Sequence, residues 1–425
     1  MREMKDSGIE WIGEIPAGWK VKKIKHSFSI IAGATPKSEV PEFWDGDIAW
    51  ITPADYKTAD VYVAGGKRNL SQAGYDSCGT TLIPSGSIVF SKRAPIGSVA
   101  INTNDLCTNQ GCLSCVPRCE CVTKYFYYMM SVFTEIFNLF GTGTTFKEIS
   151  ADNFANFSLP FPDITEQHQI VSYLDQKCTE VDAVIAKTKA AIEEYKKLKQ
   201  SIITEAVTKG IRGDRPMKDS GIAWVGEFPS EWEDTNPKAL FLQRKDKAKP
   251  GERQLTASQQ HGVIYQDEYM SLTGSKVVTV EKDFDILKHV EAGDFVISMR
   301  SFQGGLEYST KSGSISSAYV MLIPNLGLVF PRFFRWLLKS PVYIRALQST
   351  SNMVRDGQAM RYSNFAQVRL YTVPMEEQKE IADYLDLKCA EIDALIEKKT
   401  ALLAEMEAYK KSVIYEYVTG KKEVK

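Results

Sequence analysis

The sequence has no apolar run long enough to cross a bilayer as a helix, and no charged-then-apolar leader. Both absences point to a cytoplasmic protein without membrane contact. It also lacks an excess of charge of either sign: 52 Lys and Arg against 53 Asp and Glu leave a formal net charge of −1. That balance disfavours a non-specific nucleic-acid coat, whose affinity comes from counterion release, but not a reader with local basic patches. Eight Cys at irregular spacing fit a reducing compartment better than a disulfide framework.

Catalytic signatures are missing as well. There is no Gly-x-x-x-x-Gly-Lys-Ser/Thr phosphate loop, no Gly-x-Gly-x-x-Gly fingerprint and no Asn/Asp-Pro-Pro-aromatic run of an amino-methyltransferase. The four His (His26, His168, His261 and His289) are scattered, and only His168 lies near a recurring phrase. Cys112-x-x-Cys115 has zinc-like spacing within the cluster Cys107, Cys112, Cys115, Cys119 and Cys121. The repeat described next puts Tyr319 and Leu322 at the equivalent positions, so the expectation is small core residues on strands. No catalytic residue, metal or cofactor is assigned to the chain.

What the sequence does have is a tandem repeat. Met4-Lys-Asp-Ser-Gly-Ile-Glu-Trp11-Ile-Gly13-Glu-Ile-Pro16-Ala-Gly-Trp19 returns as Met217-Lys-Asp-Ser-Gly-Ile-Ala-Trp224-Val-Gly226-Glu-Phe-Pro229-Ser-Glu-Trp232. Gln167…Tyr173-Leu-Asp175-Gln-Lys177-Cys178-Thr-Glu180-Val-Asp182 returns as Gln378…Tyr384-Leu-Asp386-Leu-Lys388-Cys389-Ala-Glu391-Ile-Asp393. A duplicated chain has to be read from what its halves share and where they part.

Each half runs from the Trp-Gly-Pro-Trp phrase through a mixed segment into a long helix. Short apolar runs at Ile48–Ile51, Ser87–Phe90 and Phe295–Ser298 predict strands, and amphipathic spacing predicts helices over Lys124–Phe140 and Arg332–Leu347. Ile170, Leu174, Cys178, Val181, Ile185, Ile192, Tyr195, Leu198, Ile202 and Ala206 fall mostly three or four apart. So do Ile381, Leu385, Cys389, Ile392, Ile396, Leu403, Met406, Tyr409, Val413 and Tyr417. Such stripes suit a coiled-coil seam. A helix of roughly 40 residues spans on the order of 60 Å, more than one globule can cover, so the two helices are expected to pack on each other. A pseudo-twofold axis would make them antiparallel, a ruler between two globules. The expected architecture is α/β: residues 1–160 a first globule, 161–210 a spacer helix ended by Gly210, and 211–216 a linker. Residues 217–372 form a second globule and 373–421 a second spacer helix.

Inside the globules one pattern survives. Gly86-x-x-Val89-x-Ser91-x-Arg93-x-x-x-Gly97 matches Gly293-x-x-Val296-x-Ser298-x-Arg300-x-x-x-Gly304, and Cys115-Val-Pro117 matches Leu322-Ile-Pro324. The Arg at the loop mouth either is structural, pairing with a carboxylate or capping a helix, or contacts a phosphate or a base. Lys92 beside Arg93 and Gln303 near Arg300 favour the second, with a phosphate as the shared target. Other segments have no counterpart: Gly33-Ala-Thr-Pro-Lys37, Trp44-Asp-Gly-Asp-Ile-Ala-Trp50 and Thr52 in the first half, Arg244-Lys-Asp-Lys247 and Arg253 in the second. Gly143-Thr-Thr-Phe-Lys147 and Arg355-Asp-Gly-Gln358-Ala-Met-Arg361 are loops with donors suited to nucleic acid or simply to solvent. The candidate nucleic-acid-binding residues are therefore Lys37, Lys92, Arg93, Lys147, Arg300, Gln303, Arg355 and Arg361.

Asp-Ser-Gly-Ile-x-Trp-x-Gly-Glu-x-Pro-x-x-Trp opening each half, and Pro162…Glu166-Gln167 and Pro374…Glu377-Gln378 leading into each helix, resemble the specificity subunit of type I restriction–modification systems. The resemblance covers nearly the whole chain. It implies two target-recognition domains on paired spacer helices, double-stranded DNA with an asymmetric bipartite site as target, and two methyltransferase subunits and restriction subunits as partners. S-adenosylmethionine, ATP and Mg²⁺ would belong to those partners. A coiled-coil scaffold whose globules bind protein, or an enzyme with an unrecognised site, are the rival readings.

Overall fold

The computed structural model describes residues 2–57, 60–93, 95–141, 147–277, 279–280, 286–298, 301–350 and 361–424. It divides into two compact units, Met1–Thr188 with Ala401–Lys425, and Lys189–Thr400. The long helices are Ile164–Lys209, here α1, and Met375–Val418, here α2, with 46 and 44 residues. Each unit thus owns one globule and a segment of both helices, so the unit boundaries fall inside the helices rather than at their ends.

The first unit is built on a five-stranded sheet in the order Phe28–Ala32, Cys112–Pro117, Ile88–Ser91, Val99–Asn102 and Tyr62–Val63, with the last strand parallel to its neighbour. Against it pack the helices Thr123–Val132 and Thr134–Leu139, burying Tyr125, Phe126, Met129, Met130, Phe133 and Phe137. The second unit repeats the frame with Phe241–Arg244, Val320–Pro324, Phe295–Ile297 and Glu307–Tyr308, covered by Pro331–Leu337 and Pro341–Ser349. The single helices expected over 124–140 and 332–347 are each broken in two. Pro341 has no N–H for a continuing helix, and the Ser340 hydroxyl accepts from Tyr343 N to start a new one. In the first unit Phe133 N bonds Met130 O, closing the turn early, and Asn138 donates to Ile96 O across the sheet loop.

The frame is common; what is hung on it is not. The first unit adds a three-stranded sheet of Cys107–Thr108, Trp44–Ile51 and Arg68–Leu70. The second adds the hairpin Leu255–Ser258/Gly262–Tyr265 and the pair Lys288–Val290/Gly313–Ile315.

The recurring phrases have physical causes. Asp6 and Asp219 carboxylates accept from Gly8 N and Gly221 N, and Ser7 and Ser220 hydroxyls from Ile9 N and Ile222 N, closing the same hairpin turn twice. Trp19 Nε1 donates to Glu166 at 2.6 Å, and Trp232 Nε1 to Glu377 at 3.1 Å. The adjoining Gln side chains seal the helix starts. Gln167 accepts from Val122 N and donates to Pro162 O, while Gln378 accepts from Phe330 N and donates to Leu328 O and Val373 O. Each Glu is gripped a second time by an Arg that precedes the opening phrase. Arg2 pairs with Glu166 and donates to Gly420 O at 3.0 Å; Arg215 pairs with Glu377 at 2.5 Å and donates to Lys209 O at 3.0 Å. In each unit one Arg–Trp–Glu clasp therefore joins the start of one long helix to the end of the other.

Within each unit the two helices run antiparallel, as expected. In the first, Asp182 pairs with Lys410 at 2.6 Å and Tyr173 lies on Tyr417 at 4.3 Å. In the second, Lys199 pairs with Asp393 at 2.6 Å, and Tyr371 donates its hydroxyl to Val207 O as Tyr125 does to Val418 O. The stripes are buried at Ile170, Leu174, Cys178 and Val181, and at Ile381, Leu385, Cys389 and Ile392. Leu198 and Tyr409, expected in the seam, are exposed. A 3.5-residue pattern drifts around a 3.6-residue helix, so the stripe turns away from the partner helix at these positions. Among the described residues no helix is long and apolar enough to cross a membrane.

Candidate nucleic-acid interface

Lys92 and Arg93 follow the central strand Ile88–Ser91 into a loop closed by Ile149 N donating to Lys92 O. Both cations share one carboxylate: Glu148 lies 2.7 Å from Lys92 and 2.8 Å from Arg93. The Lys92 hydrogen bond, then that of Arg93, holds this carboxyl below its usual range. Two positive charges against one negative leave a net positive patch, and Lys147 stands exposed beside it. The Arg93 side chain remains 46% exposed, so both readings of this residue meet in one geometry: paired with a carboxylate, yet open to solvent. Exposed pairs contribute about 0–1 kcal/mol. Arg93→Ala should therefore leave the melting temperature nearly unchanged, and if the patch touches phosphate the slope of log affinity against log salt falls by about one. A large melting loss with an unchanged salt slope would mark the pair as structural.

The other candidates separate. Lys37 is exposed on a different loop of the first unit, its carbonyl accepting from Trp44 Nε1 at 3.3 Å. Gln303 is exposed on the turn Ser301–Gly304, and Arg361 is exposed just before the helix Tyr362–Gln367. Arg300, Arg355 and most of the 143–147 loop lie outside the described residues. The match of Gly97 to Gly304 shifts by one: the left-handed backbone occurs at Gly97 and at Gly305.

Two cations singled out by their lack of a counterpart are internal ties. Arg244 grips the buried Asp294 with two bonds, at 2.6 and 2.9 Å, and reaches Asp246. Arg253 lies over Tyr265 at 3.7 Å while bound to Asp267 and Glu268. The first unit has the same stacking without the tie. Arg68 lies over Trp44 at 3.6 Å and is exposed, with no hydrogen bond or ion pair to another described residue from its guanidinium. Composition gave no signal for this pair, which sequence reading missed.

The cysteines fall as core residues on strands at Cys107, Cys112 and Cys115, but Cys119 is exposed and Cys121 half-buried in the loop beyond. Burial pushes the thiols up, to about 11 at Cys107 and about 12 at Cys112 and Cys121. His289 is buried in the second unit with Nδ1 2.6 Å from Glu252 and Nε2 3.0 Å from Glu291. Glu291 also accepts from Ser312, and the two bonds lower its pKa from 4.5 to about 2. A depressed carboxylate adds stability that is present above its unfolded pKa and lost as pH falls through the folded one. The second unit should accordingly lose stability between about pH 4.5 and 2, and Glu291→Gln should flatten that part of a urea-unfolding series; an unchanged slope would contradict the assignment.

Residues 16–194 match the type I restriction modification DNA specificity domain. The MjaIX type I specificity subunit of Methanocaldococcus jannaschii is 37% identical over 166 residues, 38% of each chain. A protein named as the MjaX specificity subunit of the same organism is 25% identical over 97% of this chain and 96% of its own. Residues 16–194 thus carry a type I specificity domain, and the likeness to a named specificity subunit runs along nearly the whole chain. A likeness in fold extends over nearly its full length. A chain from a structural study of complex assembly and conformational transition in a type I restriction–modification system superposes with a TM-score of 0.70 at 15% identity, over 96% of this chain and 99% of that one. An HsdS subunit from Thermoanaerobacter tengcongensis gives 0.51 at 15% identity, over 96% and 98%. The twin frames of this chain thus match the fold of those chains over nearly their full length.

Proposed function

We propose that this chain is the DNA sequence-recognition subunit of a type I restriction–modification complex, each unit reading one half of an asymmetric bipartite site. The observation that carries this is the contrast between a frame built twice with the same clasps and two additions that share neither strands nor cation partners. The chain itself is non-catalytic in this reading. It positions two methyltransferase subunits, and restriction subunits where present, in the cytoplasm; S-adenosylmethionine, ATP and Mg²⁺ are bound by those partners. The lengths of α1 and α2 set the gap between the half-sequences.

Co-expression with the methyltransferase partner, followed by mapping of methylated bases, tests the proposal. The expected motif has two unlike half-sequences around a fixed gap. A palindromic or uninterrupted motif, or methyl transfer by the purified chain alone, overturns it. Whole-turn insertions between Ala186 and Glu193, matched near Glu397–Glu405, should change the gap and neither half-sequence.

A further inference from the structure

We infer that Arg68 is a specificity-determining residue of the first unit and reads a guanine, with Trp44 as the platform that sets the plane of its guanidinium; this rests on the proposed recognition of DNA. The platform is fixed on several sides. Trp44 is buried, meets Trp50 edge to face at 5.1 Å and donates Nε1 to Lys37 O. Trp50, which lies opposite Arg68 in the strand pairing, donates Nε1 to Ala34 O at 3.1 Å. Stacking at 3.6 Å leaves the guanidinium few orientations while its N–H edges stay free of protein acceptors among the described residues.

That combination suits a base edge more than a phosphate. Guanine presents two acceptors, O6 and N7, side by side in the major groove, and a planar fork meets both; adenine offers one acceptor and one donor there. Phosphate contacts ask only for a nearby charge, and the flexible, exposed Lys37 and Lys67 flank the platform for that purpose. Arg253 in the second unit shows the alternative use of the same stacking. Two carboxylates meet its Nη2, so its charge is committed to the protein.

The test uses the full chain with its methyltransferase partner, and duplexes in which each target base pair is varied in turn. Arg68→Ala should weaken cognate binding on the order of ten- to a hundredfold and erase discrimination at one G·C position of one half-sequence. Arg68→Lys, which keeps the charge but not the stacked fork, should also relax that position. Melting curves should match wild type, because the side chain is exposed. Unchanged discrimination in Arg68→Ala, whether or not the salt slope falls by about one, overturns the assignment. Should the wild-type complex show no sequence preference at all, the recognition reading fails instead, and the two failures are told apart by that control.

Discussion

Glu377→Ala should destabilise the second unit by about 3–5 kcal/mol, the range for removing one partner of a buried ion pair. Glu377 is fully buried, with Arg215 on one oxygen and Trp232 Nε1 on the other, and the Arg215 side chain is only 10% exposed. Without the carboxylate, a guanidinium stays buried with Lys209 O at 3.0 Å and the more distant, exposed Glu231 at 3.6 Å as its remaining partners, and an indole N–H loses its partner. The equivalent Glu166→Ala should cost less, since Glu166 and Arg2 are each 22% exposed and water can replace the lost bond. Trp232→Phe, which deletes mainly the N–H, sets the scale at about 1–3 kcal/mol for the hydrogen bond and the lost ring volume. Because the clasp ties the start of α2 to the end of α1, its loss should also raise hydrogen exchange at 205–210. Urea unfolding of the variants measures the difference; a Glu377→Ala loss below that of Glu166→Ala would sink the argument.

The clasp also shows which parts of the molecule were legible in the sequence. Trp19, Trp232, Glu166-Gln167 and Glu377-Gln378 recur because they bond to each other and to the same backbone atoms, so repetition exposed them without revealing why. Arg2 and Arg215 perform the same task in each unit, yet one precedes Glu-Met and the other Pro-Met, and a lone Arg outside a phrase carries no signal. The helices were legible from periodicity, while Leu198 and Tyr409 were misplaced because a linear stripe does not report where the helix turns away. The candidate site was the least legible part. Cations were chosen by type and loop position, but their state depends on distant partners. Glu148 is 55 residues from Arg93, and Asp294 is 50 from Arg244. Arg68 was invisible for the opposite reason: its partner is an aromatic face, and no spacing rule links it to Trp44.

Gly33→Ala should disable reading by the first unit while sparing the second. A Cβ at Gly33 would lie 2.1 Å from Thr108 O, 2.3 Å from Asn109 O and 2.3 Å from Thr108 Oγ1. These atoms cannot retreat. Thr108 is paired with Ile51 in the sheet, and its carbonyl also accepts from Ala34 N and from the Thr80 hydroxyl. The 33–37 segment must lift instead, breaking the Ala34 N bond and drawing Ala34 O from Trp50 and the Lys37 carbonyl from Trp44. Overpacking of this kind costs typically about 1–3 kcal/mol, here concentrated in one loop rather than the sheet core. The platform beneath Arg68 loses its edge contacts at the same moment. Methylation maps should then show the first half-sequence degenerate and the second intact. Gly79→Ala is the matched control, since a Cβ there meets nothing within 4 Å. Its stability should be equal to wild type or slightly higher, because alanine narrows the unfolded ensemble. A Gly33→Ala variant with wild-type melting and an undisturbed motif would show that the loop tolerates the methyl group, and the coupling from Gly33 to the tryptophan platform would be wrong.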